Sequence, residues 1–205
     1  MYARIARFEG GGPGTAEVAG KLAHERFLPE LRKLDGFSGY AMLGDPETST
    51  GLGIVLFETE EALEAGNREL DTMTPPSELG DTRRTSVERY EVAVHEVIGE
   101  PTAARASRLE GPTGKIDEGI QKAQDDVLPR ARQLDGWAGV FYLVDRTAGK
   151  TMVITLWETV EARRASEEAA KQLRKDAADA GGETITGVER YQVVALEVAA
   201  RAATR

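Results

Sequence analysis

The chain repeats itself, and this repetition limits how it can fold more than any other feature. The segments LPELRKLDGFSGY and LPRARQLDGWAGV begin at Leu28 and Leu128, 100 positions apart. A second pair, VERYEVAVHEV and VERYQVVALEV, begins at Val87 and Val188, 101 positions apart. Fainter matches join RIARFEG to RASRLEG and LFET to LWET in the same order. A period near 100 residues is the size of a small domain. The sequence therefore predicts similar domains at 1–98 and 102–199, followed by a tail at 200–205.

Each repeat has the pattern of alternating strands and helices in the order β-α-β-β-α-β. In the first repeat the strands are expected at 2–8, 37–43, 53–57 and 87–97. The helices are expected to begin at Thr15 and Thr59, because threonine is a favourable N-cap residue. Pro29 is expected to kink the first helix or break its last turn. This order is that of a ferredoxin-like unit, in which two helices cover one face of a four-stranded antiparallel sheet.

The fourth strand carries apolar residues on both of its alternating faces, which is typical of a strand buried on both sides. The helices of one repeat can cover only one face, so the sheet of the other repeat is expected to cover the second. The predicted fold is therefore α+β, with two ferredoxin-like βαββαβ repeats packed sheet to sheet as a single-chain pseudo-dimeric α/β barrel. The sequence leaves open a homodimer of the tandem unit.

The composition argues against several functional classes. A formal charge of −9 disfavours binding to nucleic acid, which requires clustered cations. The absence of cysteine excludes thiolate chemistry and Cys-ligated metals, and His24 and His95 are too few for a multi-histidine metal site. The sequence has no apolar run of about 18 residues and no recognisable signal peptide. We therefore expect a cytoplasmic protein that binds a small molecule, with no membrane partner, no metal and no cofactor.

The motif L-P-x-(L/A)-R-x-L-D-G-(F/W)-x-G, followed by a hairpin and by L-(F/W)-E-T, resembles the antibiotic biosynthesis monooxygenase-like family of dimeric α/β barrels. The resemblance covers both repeats and implies a tandem version of the family dimer. The family includes cofactor-independent oxygenases of phenolic polyketides and haem-degrading enzymes. In the oxygenases an aromatic residue, often Trp, ends the third strand. Trp157 matches this position and Phe57 departs from it.

Haem-degrading members of the family carry Asn on the first strand and His on the second helix. Neither residue occurs at those places in either repeat. The sequence therefore argues against haem degradation.

A pocket is expected between each sheet and its own two helices. In the second repeat, Trp157 offers a flat face for stacking an aromatic substrate, and Tyr142 and Gln124 are expected to line the pocket. Because the second repeat has more aromatic residues, its pocket is the preferred candidate site. The alternative interpretation of Trp157 and Tyr142 is that they are parts of the core.

In the first repeat, His24 lies on the predicted apolar stripe of the first helix, at the position that Gln124 occupies in the second. A histidine there is suited to act as a general base near neutral pH. Tyr40 and Phe57 are expected to line the same pocket. A hydrogen-bonded core histidine is the alternative for His24.

The predicted function is a cofactor-independent monooxygenase acting on a small aromatic substrate of the phenol or quinol type, with Trp157 and His24 as catalytic residues. The alternative is a non-catalytic small-molecule-binding or stress-related α/β-barrel protein whose pockets are largely filled. An open pocket beside Trp157 favours the enzyme, and a filled one removes the place for catalysis there.

Overall fold

The computed structural model describes residues 1–12 and 14–198. Within the described residues the chain forms two compact units, one made of residues 1–90 and 191–198, the other of residues 91–190. The unit boundaries fall inside the two longest strands, and the sequence repeats at 1–98 and 102–199 stay a prediction. The tail predicted at 200–205 lies outside the described residues.

The secondary structure follows the predicted order in both repeats. The first contains β1 (Tyr2–Glu9), α1 (Thr15–Leu22), a π-helical turn (Ala23–Phe27), α2 (Leu28–Leu31), β2 (Phe37–Asp45), β3 (Thr50–Phe57), α3 (Glu60–Asp71), a 3₁₀ turn (Ser77–Leu79) and β4 (Arg83–Val97). The second contains β5 (Ala103–Glu110), a 3₁₀ turn (Thr113–Lys115), α4 (Ile116–Lys122), a π-helical turn (Ala123–Val127), α5 (Leu128–Ala131), β6 (Trp137–Asp145), β7 (Lys150–Trp157), α6 (Val160–Ala165), α7 (Glu167–Gly181) and β8 (Thr184–Val198).

The strands pair in the same way in both units. In the first unit β3 lies between β1 and β2, and β2 pairs with the end of β8, all antiparallel. In the second unit β7 lies between β5 and β6, and β6 pairs with the end of β4. The hydrogen-bonded strand order is β1-β3-β2-β8-β5-β7-β6-β4, that of a closed eight-stranded barrel. The predicted α+β barrel of ferredoxin-like repeats is confirmed.

The prediction that the fourth strand is buried on both faces was wrong. Tyr90 is the one residue of β4 that is fully buried, and the apolar residues after it are half-buried. The helices of the first unit pack on β1, β2 and β3, so they bury one face of those three strands. Consecutive residues of β3, such as Ile54 and Val55, point to opposite faces and are both buried.

The Leu-Asp-Gly motif recurs because it makes the same backbone turn in both repeats. Gly36 and Gly136 have φ of 68° and 70°, a region that favours glycine. Their carbonyl oxygens accept hydrogen bonds from the N–H groups of Glu58 and Glu158, each at 2.9 Å. A Cβ on Gly136 would lie 2.4 Å from the Cβ of Ala162. The motif thus ties the end of the first helical segment to the start of the next helix.

The two predicted helix caps, Thr15 and Thr59, have different outcomes. The hydroxyl oxygens of Thr59 and Thr159 accept hydrogen bonds from the N–H three residues later, at 3.2 and 3.0 Å, so the predicted cap at Thr59 is confirmed. Thr15 does not cap α1, because Gly14 occupies the cap position with φ of 85°. The Thr15 hydroxyl donates to the carbonyl of Gly12 instead, at 2.8 Å.

A π-helical turn precedes Pro29 in the first repeat, and the second repeat has one at the same place before Pro129. Proline has no N–H, so the carbonyl four residues before it loses its helical partner. The N–H of Leu28 bonds to the carbonyl of Ala23, five residues back. A π-helical turn holds more residues than an α-helical turn, so it rotates the side chains on either side of it relative to one another.

We predict that Gly136→Ala lowers the free energy of unfolding by roughly 2–3 kcal/mol, because alanine disfavours positive φ and its methyl group would clash with Ala162. Denaturant unfolding followed by circular dichroism measures this loss. Gly114→Ala is the control, since nothing lies within 4 Å of a Cβ there, and its effect should stay within about 0.5 kcal/mol. Equal effects of the two substitutions would contradict the account of the motif.

Candidate functional site

The helix-facing side of the first sheet is built from rows of three residues across β1, β3 and β2. Arg4, Val55 and Tyr40 form one row. The next two rows are Ala6, Gly53 and Met42, then Phe8, Gly51 and Gly44. Three of these nine positions are glycines, so this part of the sheet has little side-chain cover.

A cavity of about 570 Å³ lies over these rows. Phe27 and Leu31 line it from the first helical segment, and Met73 lines it from the loop between α3 and the 3₁₀ turn. Its size is typical of pockets for small organic ligands, which hold roughly 300–1,000 Å³. Most of its lining side chains are apolar, and all of its lining residues belong to the first unit.

The equivalent space in the second unit is largely filled. Thr151 and Val153 stand where the first repeat has Gly51 and Gly53. α7 is 15 residues long, against 12 for α3, and its Leu173 packs over the sheet. The remaining cavity is about 60 Å³, whereas a benzene-sized ligand needs on the order of 150 Å³.

Trp157 is fully buried and packed by protein groups. The ring of Trp137 meets it edge-on, with centroids 5.7 Å apart and planes at 87°. The guanidinium carbon of Arg105 lies 5.3 Å from the Trp157 ring centroid. The indole N–H donates to the Thr155 hydroxyl at 3.0 Å. The pocket expected beside Trp157 is therefore occupied by side chains.

Of the other residues predicted in the second repeat, Tyr142 lines the same small cavity as Trp157. Burial together with the charge of Glu183 raises the pKa of the Tyr142 hydroxyl. Gln124 is exposed and lines neither cavity. It lies in the π-helical turn, next to the buried Ala123.

In the first repeat His24 is exposed, and it does not line the cavity. The prediction that His24 belongs to the apolar stripe is corrected for a physical reason. The stripe assumes the period of an α-helix, and the π-helical turn places Ala23 inward in the place of His24. Phe57 is fully buried, and its ring packs so closely on α3 that a Cβ on Gly66 would lie 2.4 Å from it. Phe57 is therefore part of the core.

Tyr40 is the one predicted site residue that lines the large cavity. Burial raises the pKa of its hydroxyl well above the usual range, so the group remains a proton donor at neutral pH. In the described part of the chain, no protein group forms a hydrogen bond with this hydroxyl that would compete with a ligand.

Arg4 also lines the cavity, although it is not among the residues predicted from the sequence. Its Nε donates to Asn67 Oδ1 at 2.8 Å, and its Nη2 donates to Asp71 Oδ1 at 2.7 Å. Burial lowers the pKa of the guanidinium, and the bond to Asp71 acts in the opposite direction. Strand alternation places Arg4 on the face of Ala6, which is the signal that could have identified it.

The glycines of β3 are a second signal that was available in the sequence. Gly51 and Gly53 occupy alternate positions of a strand whose other residues after Thr50 are apolar. Glycine inside a strand often marks a place where a ligand comes close to the backbone. The corresponding residues Thr151 and Val153 show that the strand itself does not require glycine.

No sequence model of a protein family matches the chain. The uncharacterized protein Rv2557 of Mycobacterium tuberculosis strain H37Rv is 26% identical over 174 residues, which are 82% of this chain and 78% of that protein. Another uncharacterized protein of that strain, Rv2558, is 40% identical over 75 residues, 37% of this chain and 32% of that protein.

Solved structures show the same fold along most of the chain. An anthrone oxidase-like protein superposes with a TM-score of 0.66 and 16% identity, covering 96% of this chain and 92% of that one. A ferredoxin fold protein related to antibiotic biosynthesis monooxygenases, from Listeria monocytogenes, gives 0.52 and 10%, covering 93% and 94%. The chain has the fold of these monooxygenase-like proteins. The haem-degrading enzyme LmHde of Listeria monocytogenes shares it too, with a TM-score of 0.53 and 12% identity, over 94% of this chain and 99% of that one.

Two further observations concern the described residues alone. They contain no group of three or more His, Asp or Glu side chains placed to hold a metal ion. None of their helices is both long and apolar enough to span a membrane.

We predict that Gly53→Val fills the base of the cavity with the side chain that the second repeat carries at Val153. Binding of 2-naphthol, measured by its own fluorescence, should weaken by about tenfold or more, because the added isopropyl group occupies ligand space. Gly187→Val is the control, since nothing lies within 4 Å of a Cβ at Gly187, and it should leave binding unchanged. Unaltered binding by Gly53→Val would show that the probe binds elsewhere.

Proposed function

We propose that the protein is a cofactor-independent monooxygenase of small aromatic substrates of the phenol, quinol or anthrone type, and that its site is the cavity of the first repeat. The observation that carries this proposal is the mainly apolar 570 Å³ cavity that Tyr40 lines. The proposed site includes Tyr40 from the sequence prediction and excludes Trp157 and His24, because neither reaches this cavity.

The shape and chemistry of the cavity suit a flat aromatic molecule. Two glycines in β3 expose the strand backbone at the base, and Phe27 supplies an aromatic ring above it. Apolar walls favour transfer of an aromatic ring from water and keep water away from the reacting atoms. The likeness to an anthrone oxidase-like protein supports a substrate of this size.

The role proposed for Tyr40 is to donate a hydrogen bond to the substrate oxygen. Burial keeps its hydroxyl protonated at neutral pH, since the pKa is raised. A donor held in an apolar environment stabilises negative charge on the oxygen more than the same donor does in water. Charge on that oxygen makes the ring or CH₂ carbon that is conjugated to it electron-rich.

The reaction requires O₂ as the oxidant and no other reactant. The electron-rich carbon reduces O₂, and a carbon–oxygen bond forms to give a hydroperoxide. With a CH₂ substrate such as anthrone, loss of water from the hydroperoxide leaves a carbonyl. One oxygen atom enters the product, and the other leaves as water with the two hydrogens of the carbon. The protein binds the substrate, orients its oxygen and excludes water.

We predict enzyme-dependent O₂ uptake with at least one member of a panel of anthrone, phenols and quinols. Tyr40→Phe should lower kcat/KM by about 10- to 100-fold, the effect of losing one hydrogen bond to a charged oxygen. An oxygen electrode measures the rate, and uptake without protein is subtracted because quinols and anthrone also react spontaneously.

Tyr142→Phe is the matched control. Tyr142 is equally buried in the second unit but lines only the small cavity, so the rate should stay within about twofold of wild type. An equal loss in both variants would point to a general effect on stability. The absence of enzyme-dependent uptake with every substrate would refute the proposal.

A second candidate function is ligand binding without chemistry. The observation in its favour is that the carboxylates of the cavity wall are engaged elsewhere. Asp45 Oδ1 accepts the N–H of Glu47 in the β2–β3 turn at 2.9 Å, and Glu30 pairs with Lys33 at 2.7 Å. No histidine lines the cavity within the described residues. Tight binding of the same aromatics without O₂ uptake would favour this function.

A further inference from the structure

We propose that the ligand of the first-repeat cavity carries an ionised oxygen, and that Arg4 and Arg84 bind this anionic end. The ligand class is therefore an aromatic carboxylate, phenolate or enolate. This inference rests on the proposed function for the location of the site, and it narrows the substrate to molecules that bind in ionised form.

The first observation is the environment of Arg4. Its side chain is only 4% exposed, yet it lines the cavity. The hydrogen bonds to Asn67 and Asp71 engage Nε and Nη2. Asn67 Nδ2 in turn donates to Asp71 Oδ2 at 3.1 Å, which holds the carboxylate in place. In the described part of the chain no acceptor is bonded to Nη1, so its two N–H groups remain for a ligand.

The second observation is Arg84, which reaches the same place from β4. Its Nη1 and Nη2 donate to the backbone carbonyls of Leu70 and Asp71, at 2.9 and 3.0 Å. These bonds anchor the guanidinium at the end of α3. Arg84 also lines the cavity, and its side chain is one-quarter exposed.

The charges at this end of the cavity do not balance. Arg4 and Arg84 both approach Asp71 Oδ1, at 2.7 and 3.7 Å, so two cations share one carboxylate. Repulsion from Arg84 is one of the causes that lower the pKa of Arg4. An anionic ligand group supplies the missing negative charge, and buried charges are stable when they are paired.

Of the other charged residues of the cavity wall, Asp45 lies at the β2–β3 turn, away from Arg4, and the remaining two are paired with side chains of opposite charge. Arg26 pairs with Glu78 at 2.8 Å, and both side chains are about half exposed. Glu30 is exposed and pairs with Lys33. The positive excess is thus confined to the Arg4 end, while the remaining walls are mainly apolar.

The second repeat has an arginine at the same position, but side chains fill most of the space around it. Arg105 is the counterpart of Arg4, and its Nη2 contacts Glu167 Oε2 at 3.0 Å. Its guanidinium packs on the Trp157 ring, so a side chain covers it. Burial lowers the pKa of Arg105 to about 10. In the first repeat the corresponding space is open cavity.

The test compares two probes that differ in charge but hardly in shape, 2-naphthoate and 2-naphthamide, by isothermal titration calorimetry at pH 7. The carboxyl group is ionised there, because such groups have pKa values near about 4. We expect the wild-type protein to bind naphthoate at least tenfold more tightly than naphthamide. Arg84→Met should abolish this preference, and Arg84→Lys, which keeps the charge, should retain most of it.

Arg83→Met is the matched control. Arg83 is adjacent on β4, is 70% exposed, pairs with Glu9 and does not line the cavity. The Arg83→Met substitution removes the same charge from the protein but does not alter the cavity wall, so the preference for naphthoate over naphthamide should persist. Equal affinity of the wild type for both probes would overturn the anionic end while leaving O₂ uptake as an independent test of the proposed function. A preference for naphthoate that survives Arg84→Met would also overturn the proposed anion-binding end. Failure of both probes to bind would overturn this inference and remove the binding site on which the proposed function depends.

Discussion

The space beneath the first helical cover depends on the side-chain volume carried by the middle strand of the sheet. β3 and β7 pair with their neighbours in the same register, so the backbone does not distinguish the two units. Gly51 and Gly53 leave room for a ligand, whereas Thr151 and Val153 fill it. Glycine within a strand typically costs about 0.5–1 kcal/mol relative to alanine. The first repeat therefore gives up some stability at the positions that create its cavity.

One arginine position illustrates how the repeats diverged. Arg4 and Arg105 occupy equivalent places on β1 and β5, and each is bonded to the helix that follows the third strand of its repeat. Around Arg105 the aromatic ring of Trp157 and the longer helix α7 complete the packing. Around Arg4 a shorter helix ends at Asp71 and a loop follows. The same buried cation thus serves as core in one unit and as part of a cavity wall in the other.

The fold could be predicted because the repeated motifs correspond to local backbone requirements. Gly36 needs positive φ, and Thr59 supplies a cap, so such residues indicate where elements begin and end. The candidate site was harder to predict. The period of an α-helix placed His24 inward, but the π-helical turn leaves it exposed. A count of aromatic residues favoured the pocket of Trp157, yet a large ring fills space as readily as it binds a ligand.

Both tryptophans of the chain, Trp137 and Trp157, pack together in the second unit, while the cavity lies in the first. Indole emission therefore reports on the packing of one half of the molecule only. A change in that emission registers loosening of the second unit's core, and a fluorescent aromatic compound bound in the cavity can be followed through its own signal. Because both tryptophans lie in the unit without the large cavity, core packing and ligand binding can be followed by two separate optical signals without labelling the protein.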